Sequence, residues 1–237
     1  MINTTAQTLA KHAAAERAIT EFVKDGMKLG LGSGSTSHAF VRALGRHVAK
    51  GLKVQCTTTS QATTQVAQEV GIDIIDVNAI DEIDLTIDGA DEITRNFHMI
   101  KGGGACLLWE KIIAHASKRM IAICDETKIV ETLGAFPLPV EVVQFGWQKT
   151  QRQIDCILKN HGIIQARIER RMHGGNPIFT DSGHYILDCH CQAIYNTENL
   201  EIQLNNIPGV VENGLFTREA VGMVIGKLDG SSEVHIL

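Results

Sequence analysis

No stretch of the chain approaches the roughly 18 uninterrupted apolar residues that a membrane-spanning helix needs. Its first residues, MINTTAQTLAKHAAAERAI, lack the basic segment and compact apolar core of a signal peptide, which predicts a cytosolic protein. An excess of positive charge is missing as well. Twenty-two Lys and Arg face 27 Asp and Glu, the net charge is −5 and the pI is near 6.0, so nothing invites nucleic acid or an anionic membrane. A small anionic substrate would need a local cationic pocket. Paired metal-ligand motifs are absent too: His184, Cys189, His190 and Cys191 cluster, but no second CxxC or HxxxH accompanies them. In a strand, residue 190 faces away from 189 and 191, so no metal is expected, and the six cysteines are expected as reduced, packed thiols. There is no internal repeat and no low-complexity segment.

What is there is an ordered globular composition, 44% hydrophobic and 21% charged in 237 residues, enough for one large α/β domain or a main domain with a smaller one inserted. Thr4 or Thr5 can cap a helix through Leu9, Ala13, Ile19 and Phe22 that ends at Lys24-Asp25-Gly26. A strand over 27–32, a Gly-rich turn and a helix carrying Phe40, Val41 and Leu44 follow. The alternation continues with a strand over 52–57, a helix over 60–70 stopped by Gly71, and strands over 72–77 and 85–87. A helix over 105–116 and a strand over 120–124 complete it. Such alternation implies a mostly parallel sheet covered on both faces, with ligands at the carboxyl ends of its strands. At Phe136-Pro137-Leu138-Pro139 the texture changes. A strand over 140–145, a helix over 148–159, strands over 163–169 and 185–191 and a helix over 198–205 read as a small α+β unit of the split βαβ kind. Apolar strands over 210–216 and 220–228 are expected to return to the main sheet. The division expected is 1–133 with 206–237, and 134–205.

Gly30-Leu31-Gly32-Ser33-Gly34-Ser35-Thr36 is not a dinucleotide fingerprint, because Ser35 holds the third glycine position and no acidic residue ends the next strand, CTTTS. It is not a Walker loop either, since no Lys precedes Ser35-Thr36. A phosphate monoester or sugar hydroxyl on Ser35, Thr36 and backbone N–H groups fits, against the plainer reading of a capped Gly-rich turn. Asp88-Gly89-Ala90-Asp91 is a turn rich in acceptors, or simply an Asx turn closing a strand. Lys101-Gly102-Gly103-Gly104 offers a cation and bare backbone donors, or simply a flexible loop. Glu110 lies by helical spacing at the margin of an apolar face beside Cys106 and Ile113, where desolvation makes a carboxylate a better base, whereas Lys111 and Lys118 read as solvated. A base, a cation with amide donors and acids for hydroxyls together suit proton abstraction beside a carbonyl.

GLGSGST at 30–36, DGADE at 88–92, MIKGGGA at 99–105, WEKIIA at 109–114, FPLPVEV at 136–142 and IPGVVENGLF at 207–216 resemble, in order and over essentially the whole chain, the type A ribose-5-phosphate isomerases. The resemblance implies a Rossmann-like, mostly parallel α/β sheet with a small ferredoxin-like α+β domain inserted after FPLP. It implies interconversion of D-ribose 5-phosphate and D-ribulose 5-phosphate in the pentose phosphate pathway, without metal or organic cofactor, by a homo-oligomer, dimer or tetramer. The family's base falls on Glu110. Its substrate-binding positions fall on Ser33, Gly34, Ser35, Thr36, Asp88, Gly89, Ala90, Asp91, Lys101, Gly102, Gly103, Gly104 and Lys128. By the same analogy Lys101 steadies an enediolate, Asp88 and Asp91 hold hydroxyls, and Lys128 or Lys11 holds the phosphate. Ser33 stands where Thr is common, keeping the hydroxyl. Rival readings stay open: a sugar-phosphate deaminase or a CoA transferase on the same general scaffold, and a non-catalytic sugar-phosphate sensor, for which no helix-turn-helix extension or basic patch is evident.

Overall fold

A computed structural model describes residues 4–237, the side chain of Thr4 excepted. The capping role expected of Thr4 therefore lies outside the described residues, and Thr5 is already inside the first helix. The chain divides into two compact units. Elements are numbered in chain order through both.

The first unit comprises 1–90, 109–129 and 219–237. Its six-stranded sheet runs β15 (Ser232–Ile236), β14 (Ala220–Gly226), β6 (Met120–Asp125), β3 (Leu85–Gly89), β1 (Lys28–Leu31), β2 (Gln55–Thr58). All neighbours are parallel except β15, which pairs antiparallel with β14. Alternation within the strands turns Leu29, Leu31, Leu85, Ile87, Ile121 and Ile123 into one apolar layer. Against it pack Ala14, Ala18 and Phe22 of α1 (Thr4–Phe22), Phe40, Val41 and Leu44 of α2 (Ser35–Val48), and Val66 and Ala67 of α3 (Gln61–Glu69). On the other face α4 (Leu107–His115) comes so close that a Cβ on Gly30 would lie 2.6 Å from Ile113. Among the described residues no helix is long and apolar enough to cross a membrane.

The second unit comprises 91–108 and 130–218, wider than the expected 134–205. Its main sheet orders β12 (Val210–Asn213), β7 (Leu138–Val142), β11 (Tyr185–His190), β8 (Arg167–Arg170), all antiparallel. With α5 (Trp147–Asn160) between β7 and β8, and α6 (Thr197–Asn205) between β11 and β12, this is the split βαβ order. Val140, Val142, Leu187 and Cys189 pack against Ile154, Leu158, Leu200 and Leu204 of the two helices. A small hairpin, β9 (Met172–His173) with β10 (Asn176–Pro177), decorates it. A three-stranded sheet joins β4 (Glu92–Ile93), β5 (Met99–Ile100) and β13 (Leu215–Phe216). The buried Glu92 carboxylate accepts from the N–H groups of Gly134 (2.7 Å) and Phe136 (2.6 Å), anchoring the Pro-rich segment.

Several expectations need correction. The strand expected over 72–77 is a single bridge, Cys56 to Ile74, followed by a 3-10 turn over Val77–Ala79 that Asp76 caps through the N–H of Asn78. Residues 210–216 do not return to the main sheet but pair within the second unit, because apolar content marks a strand without saying which edge it joins. Gly214 makes that pairing possible: a Cβ there would sit 2.3 Å from the Lys101 carbonyl oxygen. Lys111 is buried, not solvated. Of the cysteines, Cys56, Cys124, Cys189 and Cys191 are buried, Cys106 is half-buried and Cys156 is exposed on α5. Burial pushes the thiols of Cys56, Cys124 and Cys191 up to about 12, which leaves them unreactive.

Candidate active site

In the first unit the sheet reverses its direction of growth between β1 and β3, since β2 was added on one side of β1 and β3 on the other. That reversal opens a crevice at the carboxyl ends of the strands. Ser33, Gly34, Ser35 and Thr36 leave the end of β1, Asp88, Gly89 and Ala90 stand at the end of β3, and Lys128 closes a 3-10 turn, Glu126–Lys128, after β6.

Asp88 is fully buried, and its Oδ1 accepts from the N–H of Ser33 (3.0 Å), the Oγ of Ser37 (3.0 Å) and its neighbour's N–H, Gly89 (2.7 Å). One carboxylate oxygen thus pins the Gly-rich loop to β3. The loop approaches because residue 32 has no side chain: a Cβ there would lie 2.0 Å from Asp88 Oδ1 and 2.6 Å from its Cα. Gly32→Ala is expected to cost about 1–3 kcal/mol of stability, since backbone must move and not a flexible tip. Denaturant titration measures it, and an unchanged midpoint would refute this packing.

Below the loop lies a hydroxyl cluster. Ser33 Oγ lies 2.7 Å from Thr59 Oγ1 and 3.1 Å from Thr63 Oγ1, and it donates to Ser60 Oγ (2.7 Å), while Thr63 Oγ1 donates to the Gly32 carbonyl (3.0 Å). The Ser33 hydroxyl therefore anchors the loop from inside. His38 Nε2 lies 3.3 Å from Thr63 Oγ1, and burial holds the imidazole below its usual range. None of Thr59, Ser60, Thr63 and Ser37 was singled out from sequence, although the hydroxyl-rich run TTTSQATT at 57–64 was visible.

Helix α2 begins without a side-chain cap, because its N-cap is Gly34 at φ 92. Its first-turn N–H groups and dipole are thus presented to whatever anion approaches. Lys11 Nζ donates to Ser35 Oγ at 2.9 Å, which brings one of the two cation candidates to the loop. Glu110, in the first turn of α4, is 4% exposed.

In the second unit, Asp91 and the Lys101–Gly104 segment form another constellation. The Asp91 N–H bonds the Ile100 carbonyl and the Lys101 N–H bonds the Gly214 carbonyl, both at 2.9 Å. Asp91 Oδ2 accepts from the N–H of Gly103 at 2.7 Å, and a Cβ on Gly103 would stand 2.5 Å from Asp91 Oδ1. Lys101 is 2% exposed, with Nζ 5.5 Å from the Phe216 ring centroid, a cation held over an aromatic face. Among the described residues no group of three His, Cys, Asp or Glu could hold a metal ion.

An α/β chain with an anion-ready loop at its switch point, a buried carboxylate and a buried lysine next to a triple glycine has the equipment of an isomerase acting on a small phosphorylated sugar. The family model for ribose 5-phosphate isomerase A (phosphoriboisomerase A) matches residues 55–230. The chain is 67% identical over 97% of its length to ribose-5-phosphate isomerase A 2 of Yersinia pseudotuberculosis, covering 98% of that protein. Among solved structures, ribose 5-phosphate isomerase from Plasmodium falciparum is similar with TM-score 0.91 and 31% identity, covering 97% of this chain and 99% of that one. A D-ribose-5-phosphate isomerase in complex with phospho-erythronic acid gives TM-score 0.87 and 34% identity, covering 96% and 98%. The chain belongs to the ribose 5-phosphate isomerase A family.

Proposed function

We propose that the chain interconverts D-ribose 5-phosphate and D-ribulose 5-phosphate through a 1,2-enediolate, with Glu110 as the base. That it is a ribose-5-phosphate isomerase follows from its family; the residue roles are our reading. The observation that carries the reading is Glu110, a carboxylate kept almost wholly from water on the first turn of a helix, where an idle charged side chain belongs at the surface.

In the forward direction Glu110 removes the proton from C2 of the open-chain aldose. The C–H electron pair becomes the C1–C2 double bond, and the former carbonyl oxygen on C1 takes the negative charge. The proton on O2 passes to O1, and Glu110 returns its own proton to C1, leaving the C2 ketone. Lys101 and the amides of Gly102 and Gly104 stabilise the charge while it exists, the Gly103 N–H being held by Asp91. Asp91 and Ala90 receive sugar hydroxyls, and Asp88 acts chiefly by holding the loop. The phosphate rests on the N–H groups and hydroxyls of Gly34, Ser35 and Thr36 at the uncapped start of α2, with Lys11 beside Ser35 favoured over Lys128 as the cation. The resemblance adds a cytosolic homo-oligomer to this reading.

Incubating the purified protein with ribose 5-phosphate in D₂O containing EDTA tests it. Ketose formation with deuterium entering at carbon is expected, undiminished by the chelator. No turnover sinks the proposal, and loss of turnover in EDTA removes its metal-free character.

A further inference from the structure

Between β8 and β9 the chain carries Arg171, which no sequence motif singles out. Its backbone is fixed by bonds to Ile186 and Ile178, at 2.8 and 3.1 Å. Its guanidinium forks onto Asp188 of β11, Nε to Oδ2 at 2.8 Å and Nη2 to Oδ1 at 2.5 Å. The remaining nitrogen, Nη1, donates to the carbonyl oxygens of Gly102 (2.8 Å) and Gly103 (3.0 Å). The two side chains are only 13% and 18% exposed. All of this lies within the second unit.

We propose that Arg171 and Asp188 are positioning residues for the reaction: the pair, with Asp91 on the Gly103 N–H, clamps the Gly102–Gly104 loop in the orientation that the Gly104 amide needs to receive negative charge. The inference rests on the reading of that loop given above. In a planar trans peptide the N–H points opposite to the C=O. Tying the carbonyls of Gly102 and Gly103 to one guanidinium therefore sends the N–H groups of Gly103 and Gly104 away from it together. Asp91 takes the N–H of Gly103 from that opposite side, so the loop is gripped by a cation on its carbonyl side and a carboxylate on its amide side. Glycine is needed for this grip: Gly102 holds φ +99, and a Cβ on Gly103 would collide with Asp91. Without such a grip a triple glycine samples many orientations, and ordering it would fall to the substrate. Asp188 supplies the second half of the device, because it fixes the plane of the guanidinium and keeps the cation from being buried alone. A lysine cannot replace Arg171, since a single ammonium has no planar fork to meet a carboxylate and two carbonyls in fixed directions. The inserted part of the chain thereby acquires a chemical role, since it holds the loop that handles charge.

The test uses the full chain with Arg171→Lys, Asp188→Asn and the double change Arg171→Met with Asp188→Leu. The double variant removes both charges at once, a replacement that a folded interior tolerates even where loss of one partner unfolds it. Rates are taken where each variant is fully folded. The expected result is a kcat lowered by roughly 10- to 100-fold with KM within about threefold, the signature of misplaced transition-state donors. Inhibition by phospho-erythronic acid, whose carboxylate presents negative charge without reacting, should weaken by a comparable factor, while inhibition by inorganic phosphate should not change. Wild-type kcat in the folded double variant, or a loss confined to melting temperature, overturns the proposal. Lys101→Met separates the two readings: if it keeps full kcat, the assignment of the loop itself fails. If it loses activity while the Arg171 and Asp188 variants keep theirs, only the clamp fails.

Discussion

Glu110→Gln is expected to lower kcat by roughly 10²- to 10⁴-fold, the share of a rate enhancement that a positioned base supplies, while KM stays within about threefold. The amide has nearly the same shape as the carboxylate and fills the same buried space on the first turn of α4, and rates are compared where the variant is fully folded. It cannot accept a proton from carbon, and that is the loss the rate reads. Deuterium entry from D₂O should fall with the rate, because exchange and isomerisation pass through the same proton on the same group. Glu110→Asp separates reach from basicity: it keeps the charge but withdraws the carboxylate by a methylene, and positioned proton transfer is lost steeply with distance. A Gln variant with full kcat and full exchange would place the base elsewhere and end the proposed mechanism.

How much of this was open to reading before the fold was known divides along a physical line. Local order was legible. The strand, Gly-rich turn and helix around Ser33–Thr36 occur where periodicity and glycine predicted them, as β1, the loop and α2. The βαββα run of the second unit, from β7 to α6, was legible for the same reason, since each element is announced by its own pattern. Non-local pairing was not legible. Nothing within a few residues of Arg171 says that its guanidinium meets Gly102 and Gly103, and nothing near Ser33 says that its hydroxyl turns inward onto Thr59, Ser60 and Thr63. The segment over 210–216 failed similarly, because hydrophobic alternation fixes which face of a strand is buried and leaves its partner open. Lys111 failed differently. Charge made it read as solvated, whereas it is buried on a short helix, and composition alone cannot distinguish the two.

Lys101→Met carries the second large effect, and it is read in the activity of the folded variant. The lysine is 2% exposed, its N–H is fixed to Gly214 and its ammonium stands 5.5 Å from the Phe216 ring centroid. Methionine retains the unbranched apolar stem and drops the charge. If the ammonium served the fold, removing it would destabilise the protein. If it serves the enediolate, the rate falls further than any loss of stability explains, because the ammonium meets the developing negative charge only in the transition state. The expected outcome is therefore a kcat lower by roughly 10²- to 10³-fold, the scale of a lost oxyanion donor, measured where the variant is fully folded. Lys101→Arg is not expected to restore the rate, because the guanidinium fork is larger than the buried space an ammonium occupies and delivers its donors in different directions. Paired measurements of kcat and melting temperature decide the matter. A variant whose fully folded form keeps its kcat would take the Lys101–Gly104 segment out of the charge-handling role and leave Lys101 to the fold.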